Sequence, residues 1–337
     1  MKKYAVWFLA LAFVGLLSFD EIISAQDAPA AATKTLSIAT LAPPGSTWMR
    51  VFDSWNREVR RRSNRGLQFR FYAGGVQGDE SEVIRKIRSR RLDGAAVTAV
   101  GLAQIHRPAL VFQMPGILRT YEQLDAARTG LAAEMDTAFA AAGFVHLGWA
   151  DVGQARLFST EPVRVPADLA NRHPWVWRDD LVVPALYQIV RTNPVPLQVP
   201  EVLAALQTHR IDMLLGTPVS CVALQWAAQL HYMMDMPLSI VIGGTVIGKP
   251  QFDALTPDEQ TIIRETATQF HALARRNLRN DERQALTTLT THGIQLTSIT
   301  DAQKAEWNRV GAQVRQRLTG QIADAALVAR VTQYGSH

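Results

Sequence analysis

Between Leu36 and Val100 the chain switches repeatedly between two hydrophobic periods, and this alternation restricts the fold more than any other feature. Leu36 to Ala42 is a short β-favouring run closed by Pro43, Pro44 and Gly45. Ser46 stands where it can cap a helix, in which Trp48, Val51, Phe52, Trp55 and Val59 recur at helical spacing. Leu67, Phe69 and Phe71 then alternate with polar residues as in a half-buried strand, and Gly74-Gly75 breaks it. Asp79 can cap a second helix carrying Val83, Ile84 and Ile87, and Leu92-Asp93-Gly94 turns the chain into a strand over Ala95 to Val100. A β-α-β-α-β order implies a parallel sheet with right-handed crossovers, because parallel neighbours cannot be joined by a tight turn.

The alternation continues more loosely. The spacing of Leu124, Leu131, Met135 and Phe139 predicts a helix over Tyr121 to Ala142, stopped by Gly143. Strands are expected at Phe144 to Ala150, Pro174 to Trp177 and Asp212 to Leu215. A further apolar run, Ile240 to Ile247, contains Gly243 and Gly244. The C-terminal third reads as mostly helical. Thr256-Pro257-Asp258-Glu259 is a capping box with proline at the first helical position, opening a helix that can run to about His292. Thr300-Asp301-Ala302-Gln303 opens another.

The N-terminus bears on the compartment. Lys2 and Lys3 precede an apolar run from Tyr4 to Phe19, followed by small residues at Ser24 and Ala25. That order reads as a secretory signal peptide over residues 1–25 with cleavage near Ala25, then an Ala- and Pro-rich leader over 26–34. The expected location is the periplasm. The net charge of +5 is modest and spread along the chain, and its densest part is Arg60, Arg61, Arg62 and Arg65, followed by Lys86, Arg88, Arg90 and Arg91. They read as the solvated faces of two helices, since no aromatic residues interleave with them as a nucleic-acid platform requires. Cys221 is the only cysteine, so no intrachain disulfide is available, and a buried small apolar role is expected for it.

The motifs of common enzyme classes fail. Gly243 to Lys249 matches a P-loop up to its last position, where Pro250 replaces the Mg²⁺-ligating Ser or Thr. The eight histidines form no zinc-like cluster, and no nucleophile elbow is present. Asp93 and the Asp179-Asp180 pair sit in turn-like contexts. No enzyme and no cofactor are expected.

Several ordered segments carry a family resemblance. They are Ile38 to Trp48, Lys86-Ile87 through Ala96, Phe112-Gln113-Met114-Pro115 and Pro166-Ala167-Asp168-Leu169. The most specific is Asn193-Pro194-Val195-Pro196-Leu197 followed by Glu201-Val202, Ala204 to Gln207 and Ile211-Asp212. From about Leu36 to Leu318 the chain resembles the solute receptors of TRAP transporters, the DctP-type periplasmic binding proteins. The resemblance implies an α/β fold of two lobes, each a mixed sheet flanked by helices, with a long C-terminal helix spanning both. The lobes are expected at 35–153 plus 240–285 and at 154–239 plus 286–330. Ligand would sit between them and pass to a membrane permease or a TPR-like periplasmic partner.

In that family an arginine in the strand after the Ala-Asp-Leu turn pairs with a substrate carboxylate. Alignment on Asp168-Leu169 puts Trp175 at that position. A second, upstream arginine position falls on Ala155, with Arg156 one residue away and hence on the opposite strand face. An indole supplies a large apolar surface but cannot neutralise a carboxylate, so a predominantly apolar ligand is expected: a lipid, a sterol-like molecule or a hydrophobic organic acid. Trp-Val-Trp resembles a branch of the family with hydrophobic ligands. The candidate ligand-binding residues are Trp175, Trp48, Trp177, Arg156, Trp149, Phe112, Met114, Thr98, Met213, Leu214 and Trp226. The alternatives are an ordinary carboxylate receptor using Arg156 or Arg178 and, more distantly, a secreted α/β hydrolase.

Overall fold

A computed structural model describes residues 33–336. The expected signal peptide lies outside these residues, as does the leader except for its last two positions. Lys34 already belongs to the first strand. The N-terminal alternation folds as β1 (Lys34–Thr40), α1 (Thr47–Arg62), β2 (Leu67–Tyr72), α2 (Glu80–Arg88) and β3 (Gly94–Thr98). Ser46 and Asp79 cap α1 and α2 through their side chains. The strand expected over Ala95 to Val100 stops at Thr98, whose hydroxyl accepts the Val100 N–H and starts α3 (Ala99–Ala103).

The single helix expected over Tyr121 to Ala142 is instead two, α4 (Tyr121–Gly130) and α5 (Ala132–Ala141). Gly130 is a poor helix former. It also admits the Tyr334 ring, whose hydroxyl would lie 1.9 Å from any Cβ at that position. The next strand, β4 (Phe144–Ser159), is more than twice the expected length. Register shifts between His146 and Gly148 and between Asp151 and Gly153 let it bend and continue.

Then follow β5 (Trp175–Trp177), α6 (Val183–Ile189), β6 (Val195–Leu197), α7 (Val202–Gln207), β7 (Met213–Gly216), α8 (Pro218–Ala223), β8 (Tyr232–Met234), β9 (Ser239–Gly248) and α9 (Lys249–Asp253). The chain ends with α10 (Pro257–Thr291), β10 (Gln295–Thr297), α11 (Asp301–Leu318) and α12 (Ala325–Gly335).

The main sheet runs β10-β8-β4-β9-β3-β1-β2, with β7 also paired to β4. β1 is parallel to β2 and β3, as the crossovers require, whereas β9 is antiparallel to both β3 and β4. β5 and β6 form a separate parallel pair. The fold is the expected two-lobed α/β architecture. β4 carries it from one lobe to the other: its first part pairs with β9, and Arg156 to Ser159 pair with β7.

The helix α10 has 35 residues, about 52 Å at 1.5 Å per residue, and begins with the predicted capping box at Thr256. Ile263, Ala267, His271, Ala274, Leu278, Ala285 and Leu289 bury one continuous face of it, consistent with its packing on α1, β4 and α8. Among the described residues no helix is long and apolar enough to cross a membrane.

Candidate ligand-binding cleft

Parallel strands bring their C-terminal ends and following loops to one side, so ligand sites of α/β proteins gather there. Here Thr40 to Pro43 after β1, Ala96 to Thr98 of β3, Leu215 to Thr217 at the end of β7 and the glycine-bearing stretch of β9 all border one cavity of about 190 Å³. Trp48 and Phe52 of α1, Trp175 and Trp177 of β5, and Trp226 complete much of its wall.

Trp175 and Trp177 lie on one face of β5, as strand alternation requires, with ring centroids 6.2 Å apart and planes 28° apart. Trp226 meets Trp175 edge-on at 5.2 Å. Three indole N–H groups donate to the protein itself. Trp175 Nε1 donates to the Leu197 carbonyl at 3.1 Å, Trp177 Nε1 to Asp79 Oδ2 at 3.0 Å, and Trp48 Nε1 to the Asp151 carbonyl at 3.4 Å. What these side chains can offer a ligand is therefore ring surface.

No lysine or arginine lines the cavity among the described residues; its charged side chains are Glu80, Asp151 and Asp180. Each acid is held by the protein. Asp151 is gripped by Arg128 at 2.6 Å and by Arg279 Nε at 2.7 Å, and Arg279 also pairs with Asp125 at 2.7 Å. This network ties α4 and α10 to β4. Burial opposes the Arg279 charge, but hydrogen bonds to Asp125 and Asp151 and their charges hold its pKa above the ordinary value. Asp180 accepts the Val182 N–H at 2.7 Å, and burial raises its pKa.

Glu80 accepts the Thr98 N–H at 2.7 Å, the Thr98 hydroxyl at 2.8 Å and the Gly101 N–H at 2.7 Å. Its complete burial outweighs those three donors and pushes its pKa up to about 8. Burial thus favours its uncharged form.

The structure sorts the candidate residues. Trp48, Thr98, Trp175, Trp177 and Trp226 line the cavity. The other candidates do not border it. Trp149 packs in the core against Phe112, His146 and Phe139, with the Arg128 guanidinium over its ring. Phe112 and Met114 are core residues, while their neighbours Gln113 and Pro115 border the cleft. Met213 and Leu214 are fully buried inside, leaving Leu215 and Gly216 at the surface of the cavity.

Arg156 is turned away from the cleft, which Ala155 lines instead. Its guanidinium donates to the carbonyls of Asp235 and Met234 and lies 3.5 Å from the Asp235 carboxylate. Arg178 is exposed, 3.5 Å from Glu201. Cys221 is buried, as expected, and burial pushes its thiol above the ordinary range.

Sequence reasoning missed Glu80, the Arg128–Asp151–Arg279 network, Thr217 and Ser239. Glu80 follows a capping aspartate at a helix start, where acids are ordinary. Nothing local distinguishes it, and its burial arises only when α2 meets β3.

The model of one protein family, bacterial extracellular solute-binding protein family 7 (DctP), matches residues 38–321. Among curated relatives, a solute-binding protein of Chromohalobacter salexigens is 26% identical over 172 residues, 50% of this chain and 51% of its own. The 2,3-diketo-L-gulonate-binding periplasmic protein YiaO of Escherichia coli is 26% identical over 184 residues, 53% of each chain. The chain thus spans about half the length of the curated relatives it matches.

Solved structures agree over nearly the whole fold. A TRAP periplasmic solute binding protein from Xanthobacter autotrophicus with bound β-D-galacturonate has a TM-score of 0.82 at 19% identity, covering 89% of this chain and 99% of its own. DctP7 of Bordetella pertussis, a receptor binding pyroglutamic acid, has a TM-score of 0.83 at 15% identity, covering 89% and 100%. A TRAP receptor from Citrobacter koseri with bound D-glucuronate gives 0.81 at 22% identity, covering 89% and 99%.

Proposed function

The chain belongs to bacterial extracellular solute-binding protein family 7, the receptors of TRAP transporters, and from that premise we propose that it captures a predominantly apolar small molecule in the tryptophan-lined cleft and delivers it to a TRAP-type membrane permease. The single observation that carries the ligand class is that, among the described residues, no lysine or arginine lines the cleft. A carboxylate desolvated there without a cation would lose several kcal/mol. An apolar ligand instead gains about 25 cal/mol for each Å² that closure removes from water. A permease is the partner that family membership supports; a TPR-like partner rests only on the Trp-Val-Trp resemblance.

Capture would close the lobes, divided at 35–153 plus 240–285 and 154–239 plus 286–330, about the crossing strands β4 and β9. Contacts made only in the closed state would drive the motion. The basic, then apolar N-terminus supports export to the periplasm, where receptors of this family work.

A second reading is a small carboxylate or sugar acid. The comparisons favour it: four of the relatives named above carry galacturonate, glucuronate or pyroglutamic acid or are named for 2,3-diketo-L-gulonate, and none supports an apolar ligand. In this chain it would draw on Arg156, which would have to leave the carbonyls of Met234 and Asp235 and cross to the other face of β4, or on the exposed Arg178. Native mass spectrometry of protein from its own periplasm, followed by organic extraction, tests the two readings. A co-purifying apolar molecule supports the first. Empty protein stabilised by sugar acids, with that response lost on Arg156→Ala, supports the second.

A further inference from the structure

Behind the cleft lies a second cavity, of about 350 Å³. Pro115, Leu186, Leu238 and Ser239 border both cavities and so form a shared wall. The charge pattern reverses across that wall. Arg119, Lys304 and Arg315 line the second cavity, and no aspartate or glutamate does among the described residues.

The three cations come from separate parts of the chain: Arg119 from the segment before α4, Lys304 and Arg315 from successive stretches of α11. Lys304 has a partner, Asp301, at 3.0 Å on the exposed side of the helix. No carboxylate lies within ion-pair distance of Arg119 or Arg315 among the described residues. The half-buried Arg315 guanidinium donates to the Pro115 carbonyl. Burial first, and then the neighbouring Arg119 charge, lower the Arg315 pKa. Two like charges facing one cavity, one of them partly desolvated, are a cost that an anion between them would remove. The rest of the wall, including Trp307 and Pro237, is largely apolar and suits the carbon body of an organic molecule.

We propose that this rear cavity is a second ligand site, which takes a small carboxylate anion between Arg119, Lys304 and Arg315. The site stands independently of what the front cleft holds. Its walls come from the segment Pro115 to Arg119, from the crossing strands β4 and β9 through Gln154 and Ile240, and from α11. An anion there would bridge the elements that must move when the lobes close, so its occupancy would be linked to capture in front.

The test is calorimetric titration of the mature full chain with succinate, citrate and D-glucuronate. Wild type is compared with Arg119→Glu/Lys304→Glu, whose side chains are solvent-facing and should not disturb folding, and with Arg315→Gln. The cleft variant Trp175→Ala serves as the contrast. At least one probe should bind wild type, weaken tenfold or more in the double variant and in Arg315→Gln, and bind Trp175→Ala as it binds wild type. A loss below tenfold in the double variant, or no binding of any probe to wild type at about 10 mM, overturns the rear site. If the anion binds the double variant normally and fails on Trp175→Ala, it occupies the front cleft. That outcome overturns the apolar reading together with the rear site, whereas loss in the double variant alone leaves the apolar reading intact.

Discussion

Glu80→Gln isolates the ionisation of a carboxyl that borders the cleft yet is only 2% exposed. Its pKa is about 8 in the folded protein against an ordinary 4.5, the cause being burial opposed by the Thr98 and Gly101 donors. Between those values the folded state keeps a proton that the unfolded state has released. The stability contributed is therefore fully present below the unfolded pKa and is lost as pH rises through the folded one. The shift of about 3.5 units at about 1.4 kcal/mol each predicts a loss of about 3–4 kcal/mol between about pH 5 and pH 8. Glutamine keeps the volume, but its amide NH₂ must face either the Thr98 or the Gly101 N–H. One donor is left unpaired at a cost of about 1–3 kcal/mol. Urea unfolding followed by tryptophan fluorescence at both pH values measures the effect. Wild type should be the more stable protein at about pH 5, and the gap should close or reverse at about pH 8. Asp79 and Asp180, whose pKa values burial also raises, remain in both proteins and cancel in the comparison. Parallel pH dependences in the two proteins would refute the reasoning, because they would mean that Glu80 is ionised in the folded state throughout.

Other consequences are as definite. Asp151→Ala strands Arg128, whose side chain is 5% exposed, together with the Arg279 Nε–H, and should cost about 3–5 kcal/mol in denaturant unfolding; an unchanged midpoint would show that the network contributes nothing. Gly243→Ala places a Cβ 2.6 Å from the Val97 carbonyl of the paired strand, where backbone cannot yield, and should lower the thermal midpoint by the equivalent of about 1–3 kcal/mol. Burial pushes His271 down to about 4 despite its bond to the Ala267 carbonyl. The unfolded chain therefore takes up a proton first as pH falls below the ordinary value. About 3 kcal/mol should be lost between about pH 6.5 and 4, and His271→Gln should flatten that part of the stability profile.

How much of this was legible in the chain follows from the range of each interaction. The alternating strands and helices, the caps at Ser46, Asp79, Thr256 and Thr300, and the shared face of Trp175 and Trp177 were all readable, because period and capping act over three or four residues. The length of β4 was not, since it depends on two bulges that only pairing with β9 brings about. Nor was the division of α4 from α5 at Leu131, which leaves the apolar spacing of Leu124, Leu131, Met135 and Phe139 unbroken. Within the cleft, the strand period correctly put Ala155 and Arg156 on opposite faces. The sequence could not say that Phe112 and Met114 would turn inward while Gln113 and Pro115 faced the cavity, because a short 3₁₀ turn ends at Gln113 and no period carries on through Met114 and Pro115. It could not show that Asp79, Leu197 and Asp151 would take the indole N–H groups, or that Glu80 would be sealed beneath Thr98. Composition and order along the chain determined the architecture and the tryptophans of this protein. The charge that each cavity presents was decided by tertiary packing, because it depends on which carboxylates and guanidinium groups find each other across elements far apart in sequence.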